Sequence, residues 1–113
     1  MTTEYYFKEG CYIEEWHNSS DYEDMSIARV RVEAKTETRL HVLDGTTERY
    51  VILTGEGLVT VDNKSWVVKE GDVIVIESGQ SQKIRNDQES DLIFLAICAP
   101  RFQEKNYRDI EIE

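Results

Sequence analysis

Several features that would assign a function quickly are missing from this chain. Its longest apolar run is far shorter than the roughly 18 residues that a membrane-spanning helix requires, and its first residues show neither the basic region nor the apolar core of a secretory signal. Basic residues are also scarce, with 13 lysines and arginines against 23 aspartates and glutamates and a net charge of −10. Because a nucleic-acid partner requires a basic face, neither nucleic acid nor a membrane is expected as a partner.

Cysteine is nearly absent as well. Cys11 and Cys98 both stand in apolar surroundings typical of strands, which predicts two buried, reduced thiols of a cytoplasmic protein rather than a disulfide. The chain also lacks a serine–histidine–aspartate or cysteine–histidine arrangement with a supporting context, and it has no glycine-rich loop that would hold a phosphate. Hydrolysis by a side-chain nucleophile and nucleotide binding are therefore not indicated.

What the chain does have is a regular succession of short strands. Its 113 residues suffice for one domain with one core. Turn signals recur about every eight to twelve residues, and there is no long helical pattern, internal repeat or linker. This spacing predicts an all-β sandwich or barrel with little or no helix.

The predicted strands can be placed from alternation and turn residues. We expect them near residues 4–8, 11–16, 26–33, 39–43, 48–52, 57–61, 65–69, 72–76, 82–86 and 92–98. Within the single domain, 1–113, residues 1–25 would form N-terminal strands and a polar loop at 17–24, residues 26–99 the barrel core, and residues 100–113 a loosely packed tail. The apolar run at 73–76 suggests a strand covered on both sides, and the run at 92–98 suits a central strand.

Residues 26–33 alternate between an apolar face and a face with two arginines. The apolar face is expected to point toward the core, which would leave Arg29 and Arg31 at a surface or an interface. The alternative places Arg29 inside the barrel as an anchor for an anionic ligand. A single bulge would exchange the two faces, so parity leaves both arrangements open.

The stretch from Arg39 to Gly57 predicts strand, turn, strand, turn. His41 and Leu43 share one face of the first strand, Asp44-Gly45 supplies a turn, and Glu48 shares one face of the returning strand with Tyr50. His41 and Glu48 are therefore expected to face each other across a hairpin. Such a pair would place a polar site inside an apolar lumen.

This stretch resembles the first motif of the cupin superfamily, G-x5-H-x-H-x3-4-E-x6-G. His41, Glu48 and Gly55 occupy the first histidine, the glutamate and the closing glycine. Lys35 and Leu43 replace the opening glycine and the second histidine.

The second cupin motif, G-x5-P-x-G-x2-H-x3-N, matches residues 71–86 without insertion or deletion. Gly71, Gly79 and Asn86 occupy its glycines and its asparagine, whereas Glu77 and Gln82 replace the proline and the histidine. The resemblance implies a single-domain jelly-roll barrel, the double-stranded β-helix of small cupins, and by family habit a homodimer.

By the same resemblance, His41, Glu48 and Gln82 would be the ligands of a divalent metal ion such as iron, manganese, zinc or nickel. The ion would be weakly held or absent, because an amide oxygen is a weak ligand and Leu43 offers none. His41 and Glu48 could equally form an acid–base pair or a buried hydrogen bond. In a catalytic site Glu48 would act as base, His41 as acid and Tyr50 as a proton carrier, unless Tyr50 only fills the barrel.

The resemblance implies a pocket inside the barrel for a small polar or aromatic molecule, with Arg29 and Leu43 as candidate pocket residues. One hypothesis is an enzyme of dioxygenase, isomerase or lyase type, with or without a metal. The alternative is a non-catalytic ligand-binding or sensor cupin that has lost its metal. A third possibility is a barrel filled by its own side chains, since this fold carries many activities.

Overall fold

A computed structural model describes residues 3–112 of the chain. Within that range the chain is almost entirely β, with a single three-residue 3-10 helix, and no helix is long or apolar enough to cross a membrane. The strands are β1 (Tyr5–Phe7), β2 (Cys11–Ser19), β3 (Tyr22–Val32), β4 (Thr36–Glu37), β5 (His41–Leu43), β6 (Thr47–Thr54), β7 (Glu56–Val61), β8 (Lys64–Lys69), β9 (Val73–Ile76), β10 (Ser81–Asn86), β11 (Leu92–Ala99) and β12 (Tyr107–Asp109), and the 3-10 helix covers Glu104–Asn106.

The strands form two antiparallel sheets that enclose the core between them. The first sheet has the order β1-β2-β3-β11-β6-β9, and the second has the order β12-β5-β10-β7-β8, with β4 beside β10. The inward faces of both sheets supply an apolar core that includes Val32, Ile52, Val59, Ile84 and Phe94. The prediction of an all-β jelly roll is confirmed, and the strand at 92–98 does lie centrally, between β3 and β6.

The expected hairpin between residues 39–43 and 48–52 is wrong. β5 pairs with β10 and β12 in the second sheet, whereas β6 pairs with β11 and β9 in the first. The turn at Asp44-Gly45, where Gly45 has φ +81°, carries the chain from one sheet to the other. His41 and Glu48 therefore lie on opposite walls of the barrel, and they approach each other across the lumen rather than along a ladder.

Two segments predicted as irregular are ordered. Residues 17–24, expected as a loop, belong to the β2–β3 hairpin, where the Asn18 side chain donates a hydrogen bond to the Phe102 carbonyl at 2.9 Å. The expected loose tail instead forms β12, which pairs with β5, while Phe102 and Tyr107 both pack against Phe7. Tertiary pairing stabilises both polar segments, and local composition does not reveal such pairing.

The run at 73–76 was expected to be covered on both sides, and this is wrong. Val73 and Val75 are 57% and 47% exposed, whereas Ile74 and Ile76 are buried. β9 is the edge strand of the first sheet, so one of its faces meets the core and the other meets solvent. Because all four residues are apolar, the sequence does not show which two side chains face solvent.

Candidate functional site

The predicted site residues come together inside the barrel, from three strands on two walls. His41 on β5 and Gln82 on β10 pair in register, and both are almost fully buried. Glu48 and Tyr50 point inward from β6, and the Tyr50 hydroxyl donates a hydrogen bond to the Gln82 side-chain oxygen. Alternation along β6 buries these two side chains and turns Arg49 between them to the surface.

Contacts at both ring nitrogens hold His41 in one orientation. Its Nδ1 lies 2.6 Å from the Arg39 carbonyl oxygen, and because a carbonyl can only accept, Nδ1 carries a proton. Its Nε2 lies 3.2 Å from Glu9 Oε1. Burial lowers the pKa of His41, which favours the neutral ring with a lone pair on Nε2.

Glu9 is a site residue that sequence reasoning missed. Its carboxyl faces His41 from the turn between β1 and β2, and its backbone carbonyl accepts a hydrogen bond from the Arg39 amide at 2.8 Å. Burial raises the pKa of Glu9 to about 8, so the proton between the two side chains resides on Glu9 and is donated to His41 Nε2. The sequence offered only Glu9-Gly10 as a strand break, since nothing local links that turn to the barrel interior.

Glu48 is the most unusual group in the site. Its side chain is 8% exposed, and burial, followed by the nearby charge of Glu9, raises its pKa to about 7. Its Oε1 is one of three buried side-chain atoms within residues 3–112 that have no hydrogen-bond partner; the others are Gln82 Nε2 and the Tyr107 hydroxyl. A buried polar atom without a partner is rare in a folded protein and calls for a ligand or a functional explanation.

A pocket that encloses about 560 Å³, part of it open to solvent, reaches Glu48 from the surface. Leu43, Glu9 and Tyr50 lie on its wall, whereas His41 and Gln82 do not line it. Arg29 is not among the lining residues either, because it pairs with Glu4 at 3.5 Å beside Arg31. The carboxyl and aromatic residues of the lining are Glu9, Glu15, Glu48, Tyr5, Phe7, Tyr50, Phe94 and Phe102.

As arranged here, the three predicted ligands do not favour a divalent metal ion. The Gln82 oxygen accepts the Tyr50 hydroxyl, so the atom left without a partner is its amide nitrogen, which has no lone pair for a metal. His41 Nε2 faces Glu9. Within the part of the chain that the structure describes, no group of three or more histidine, cysteine, aspartate and glutamate side chains could hold a metal.

The two cysteines lie next to these acids. Both are free and buried, and Cys11 Sγ lies 3.7 Å from Glu9 Oε2. Burial, followed by the charge of a neighbouring glutamate, raises the pKa of both thiols, so neither is a reactive thiolate at neutral pH.

Comparison with known proteins agrees with this architecture. A family model described as "Cupin domain" matches residues 28–98, more than half of the chain. The chain belongs to the cupin family. An uncharacterized protein of Methanocaldococcus jannaschii is 34% identical over 110 residues, which cover 96% of this chain and 86% of that protein.

Three further comparisons give names that bear on function. The oxalate-binding protein of Thermotoga maritima is 39% identical over 70 residues, or 62% of this cupin, but the match spans only 58% of that protein's length. A predicted oxalate decarboxylase of the same organism has a solved structure with a TM-score of 0.73 and 30% identity, over 88% of this chain and 91% of that one. The nucleoside dehydratase Pac13 of Streptomyces superposes with a TM-score of 0.81 over 98% of this chain and 86% of that chain, but at 14% identity this likeness shows the fold alone.

Proposed function

We propose that this cupin binds a small, partly apolar molecule in its barrel pocket and that Glu48 exchanges a proton with it. The observation that carries the proposal is that Glu48 lines the pocket and that its buried Oε1 has no hydrogen-bond partner within residues 3–112. A carboxyl with a pKa of about 7 is suited to general acid–base work near neutral pH, because both of its forms are populated.

In the reaction that this geometry favours, the Glu48 carboxylate takes a proton from the bound molecule and becomes the neutral acid. It then returns the proton to a second atom of the same molecule, which is an isomerisation, or to a leaving group, which is a lyase reaction. The Tyr50 hydroxyl lies on the same wall and is a candidate donor to developing negative charge. Isomerase and lyase chemistry therefore fits these residues.

Glu9 and His41 would act as a second proton store beside Glu48. One proton lies between Glu9 Oε1 and His41 Nε2, and the Arg39 carbonyl fixes the ring on its other side. This arrangement allows the ring to receive a proton at Nε2 while Nδ1 keeps its own. His41 is thus a positioning residue that reaches the ligand through Glu9.

Oxalate is a second candidate ligand, because a relative with 39% identity is named for binding it. The pocket as it stands does not attract a dianion: its lining carries three glutamates and, within the described residues, no lysine or arginine. A bound metal ion would supply the positive charge that this lining lacks. The metal set predicted from sequence, His41, Glu48 and Gln82, stays a prediction that metal analysis can test.

The experiment for the main proposal is proton exchange with solvent. Metal-stripped protein, checked by plasma mass spectrometry, is incubated in deuterated water with a panel of small ketones, aldehydes and hydroxy acids, and deuterium incorporation is followed by proton NMR. We expect exchange into at least one compound with the native protein and none with Glu48→Gln. Glu70→Gln, which removes the same charge from an exposed turn, should behave like the native protein.

Each alternative has its own signature in this experiment. Exchange that returns only when a divalent metal is added back would support the metal set His41, Glu48 and Gln82. Binding without exchange for every compound would favour the non-catalytic ligand-binding or sensor cupin. Calorimetric binding of oxalate to metal-stripped protein would contradict the charge argument made above.

We also propose that the protein is a homodimer that pairs through the outer face of the first sheet. Val73 and Val75 are exposed on this face, and Arg49 beside them has no ion-pair partner within residues 3–112. A second copy of this acidic chain offers both apolar contact and carboxylates for that arginine. Light scattering should give a dimer mass for the native protein and a monomer mass for Val75→Glu, and a native monomer at micromolar concentration would refute the dimer.

A cytoplasmic location stays a prediction.

A further inference from the structure

Carboxyl groups line the pocket that leads to Glu48, and the raised pKa of Glu9 keeps that one neutral at pH 7. Three glutamates line it, Glu9, Glu15 and Glu48, and its lining within the described part of the chain includes neither lysine nor arginine. The nearest arginines of the first sheet, Arg29 and Arg31, are held by Glu4 outside the pocket. Any ligand therefore meets carboxyl groups without a compensating cation from the protein.

Aromatic rings form a second part of the pocket wall. Phe7 and Phe102 lie edge to face with ring centroids 6.2 Å apart, and deeper in the barrel Tyr50 and Phe94 pack at 4.4 Å. Aromatic faces carry partial negative charge and attract a cation that lies within about 6 Å of the ring. The same rings exclude water, which strengthens any charge pairing inside the pocket.

One acceptor in this setting is unused. Glu48 lines the pocket and its Oε1 is buried without a hydrogen-bond partner within residues 3–112, while the Glu9 carboxyl already contacts His41 and Cys11. An N–H group of a ligand would satisfy Glu48 Oε1, and a positively charged one would do so most strongly, because hydrogen bonds between charged groups are about twice as strong as neutral ones.

From this combination we infer that the pocket selects compact organic cations, amines or amidines attached to an apolar or aromatic body. The inference rests on the proposed function, in that it takes the same pocket as the ligand site, and it adds the ligand's charge class. The chain's net charge of −10 would also raise the local concentration of such cations over anions of the same size. Aromatic carboxylates and dicarboxylates would be rejected.

Three probes of nearly equal size and different charge test the inference by calorimetry on the full chain: 2-phenylethylamine, 2-phenylethanol and phenylacetate. We expect the amine to bind about tenfold or more tightly than the alcohol, and the carboxylate to bind most weakly. The Glu48→Gln substitution should reduce the binding affinity of the amine to that of the alcohol. Glu70→Gln, with the same change of charge at an exposed site, should leave the order of the three probes unchanged.

NMR chemical shifts of alanine methyl groups show where the amine binds. The methyl groups of Ala28 and Ala96 line the pocket and should shift on addition of the amine, whereas that of Ala34, outside the lining, should not. If Glu48→Gln does not fold, as judged by circular dichroism, the comparison of amine and alcohol on the native protein still decides the question.

The outcomes separate this inference from the proposed function. Equal or tighter binding of the alcohol or the carboxylate in the pocket would overturn the selection for cations and leave the proton-exchange proposal standing. Amine binding that shifts Ala34 but neither Ala28 nor Ala96 would place the cation on the acidic surface and also overturn the inference. Failure of all three probes to bind would overturn it as well, while deuterium exchange would still test Glu48 independently.

Discussion

His41 Nε2 lies 3.2 Å from Glu9 Oε1, so a turn between the first two strands supplies a carboxyl to a histidine on the opposite sheet. This contact affects whether His41 can act as a metal ligand. A metal-ligating imidazole would need the Nε2 lone pair free, whereas here Nε2 accepts a hydrogen bond from a neighbouring acid. The first histidine of the cupin motif is thus retained in this chain in an arrangement that favours proton storage.

The state of His41 is directly measurable. We predict that at pH 6 its ring is less often charged than a histidine with the ordinary pKa of about 6.5, and that the neutral ring carries its proton on Nδ1. Burial is the main cause, because it lowers the pKa of His41 by disfavouring the cation. Long-range nitrogen–proton NMR distinguishes the tautomers and the charged ring, and His17→Asn leaves a single histidine signal. A doubly protonated pattern at pH 6 would contradict the assignment.

Stability should fall as pH rises through neutrality. The pKa values of Glu9 and Glu48 are raised from 4.5 to about 8 and about 7. Between pH 5 and pH 8 the folded state therefore holds more protons than the unfolded state, and the free energy of unfolding decreases with pH by several kcal/mol in all, on the order of 1.4 kcal/mol per unit of pKa shift. These carboxyls favour folding fully only below about pH 4.5.

Urea unfolding at pH 5, 7 and 9 measures this dependence. The double variant Glu9→Gln/Glu48→Gln should have a much flatter pH profile than the native protein, because amides do not titrate. Glu70→Gln/Glu77→Gln serves as the control, since it removes two exposed carboxyls and should keep the native slope. Equal slopes in all three proteins would show that the buried acids are not the cause.

The sequence was sufficient for the barrel and for the inward placement of four candidate side chains, and the reasons are physical. Alternation along β6 places Glu48 and Tyr50 inward whatever the neighbouring strands do, and motif spacing adds His41 and Gln82. It was not sufficient for Glu9, because the approach of the β1–β2 turn to β5 is a tertiary contact without a local signal. The β5–β6 hairpin was mistaken for the same reason: an Asp-Gly turn between two strands leaves open whether they pair or separate into two sheets.

The hydrogen bond from Tyr50 to Gln82 should stabilise the fold. Tyr50→Phe keeps the ring packed against Phe94 but leaves the Gln82 oxygen buried without a donor. We expect a loss of about 1–3 kcal/mol in the free energy of unfolding, the usual consequence of a buried acceptor left unpaired. Tyr6→Phe, at a ring that is 62% exposed, is the matched control and should cost less than about 0.5 kcal/mol. A similar loss in both variants would mean that the hydroxyl contact is not responsible.

Asn86, the asparagine of the second cupin motif, has a structural role that a single chemical change can expose. Its side chain is fully buried, and its amide nitrogen lies 2.8–3.2 Å from the carbonyl oxygens of Val32, Glu33 and Ser90. Its oxygen accepts a hydrogen bond from the Gln88 amide at 3.0 Å. The hydrogen bonds of this side chain thus link the ends of β3 and β10 to the turn before β11.

Asn86→Asp removes both donors and places a carboxyl against three carbonyl oxygens. We expect it to lower the free energy of unfolding by about 3 kcal/mol or more, because several buried acceptors lose their partner at once. Asn63→Asp makes the same chemical change in the exposed turn between β7 and β8 and should be nearly neutral. Urea unfolding of the two variants at pH 7 makes the comparison. Comparable stability in both would mean that ordered water replaces the Asn86 donors, and the motif asparagine would then need a role other than fastening these strands.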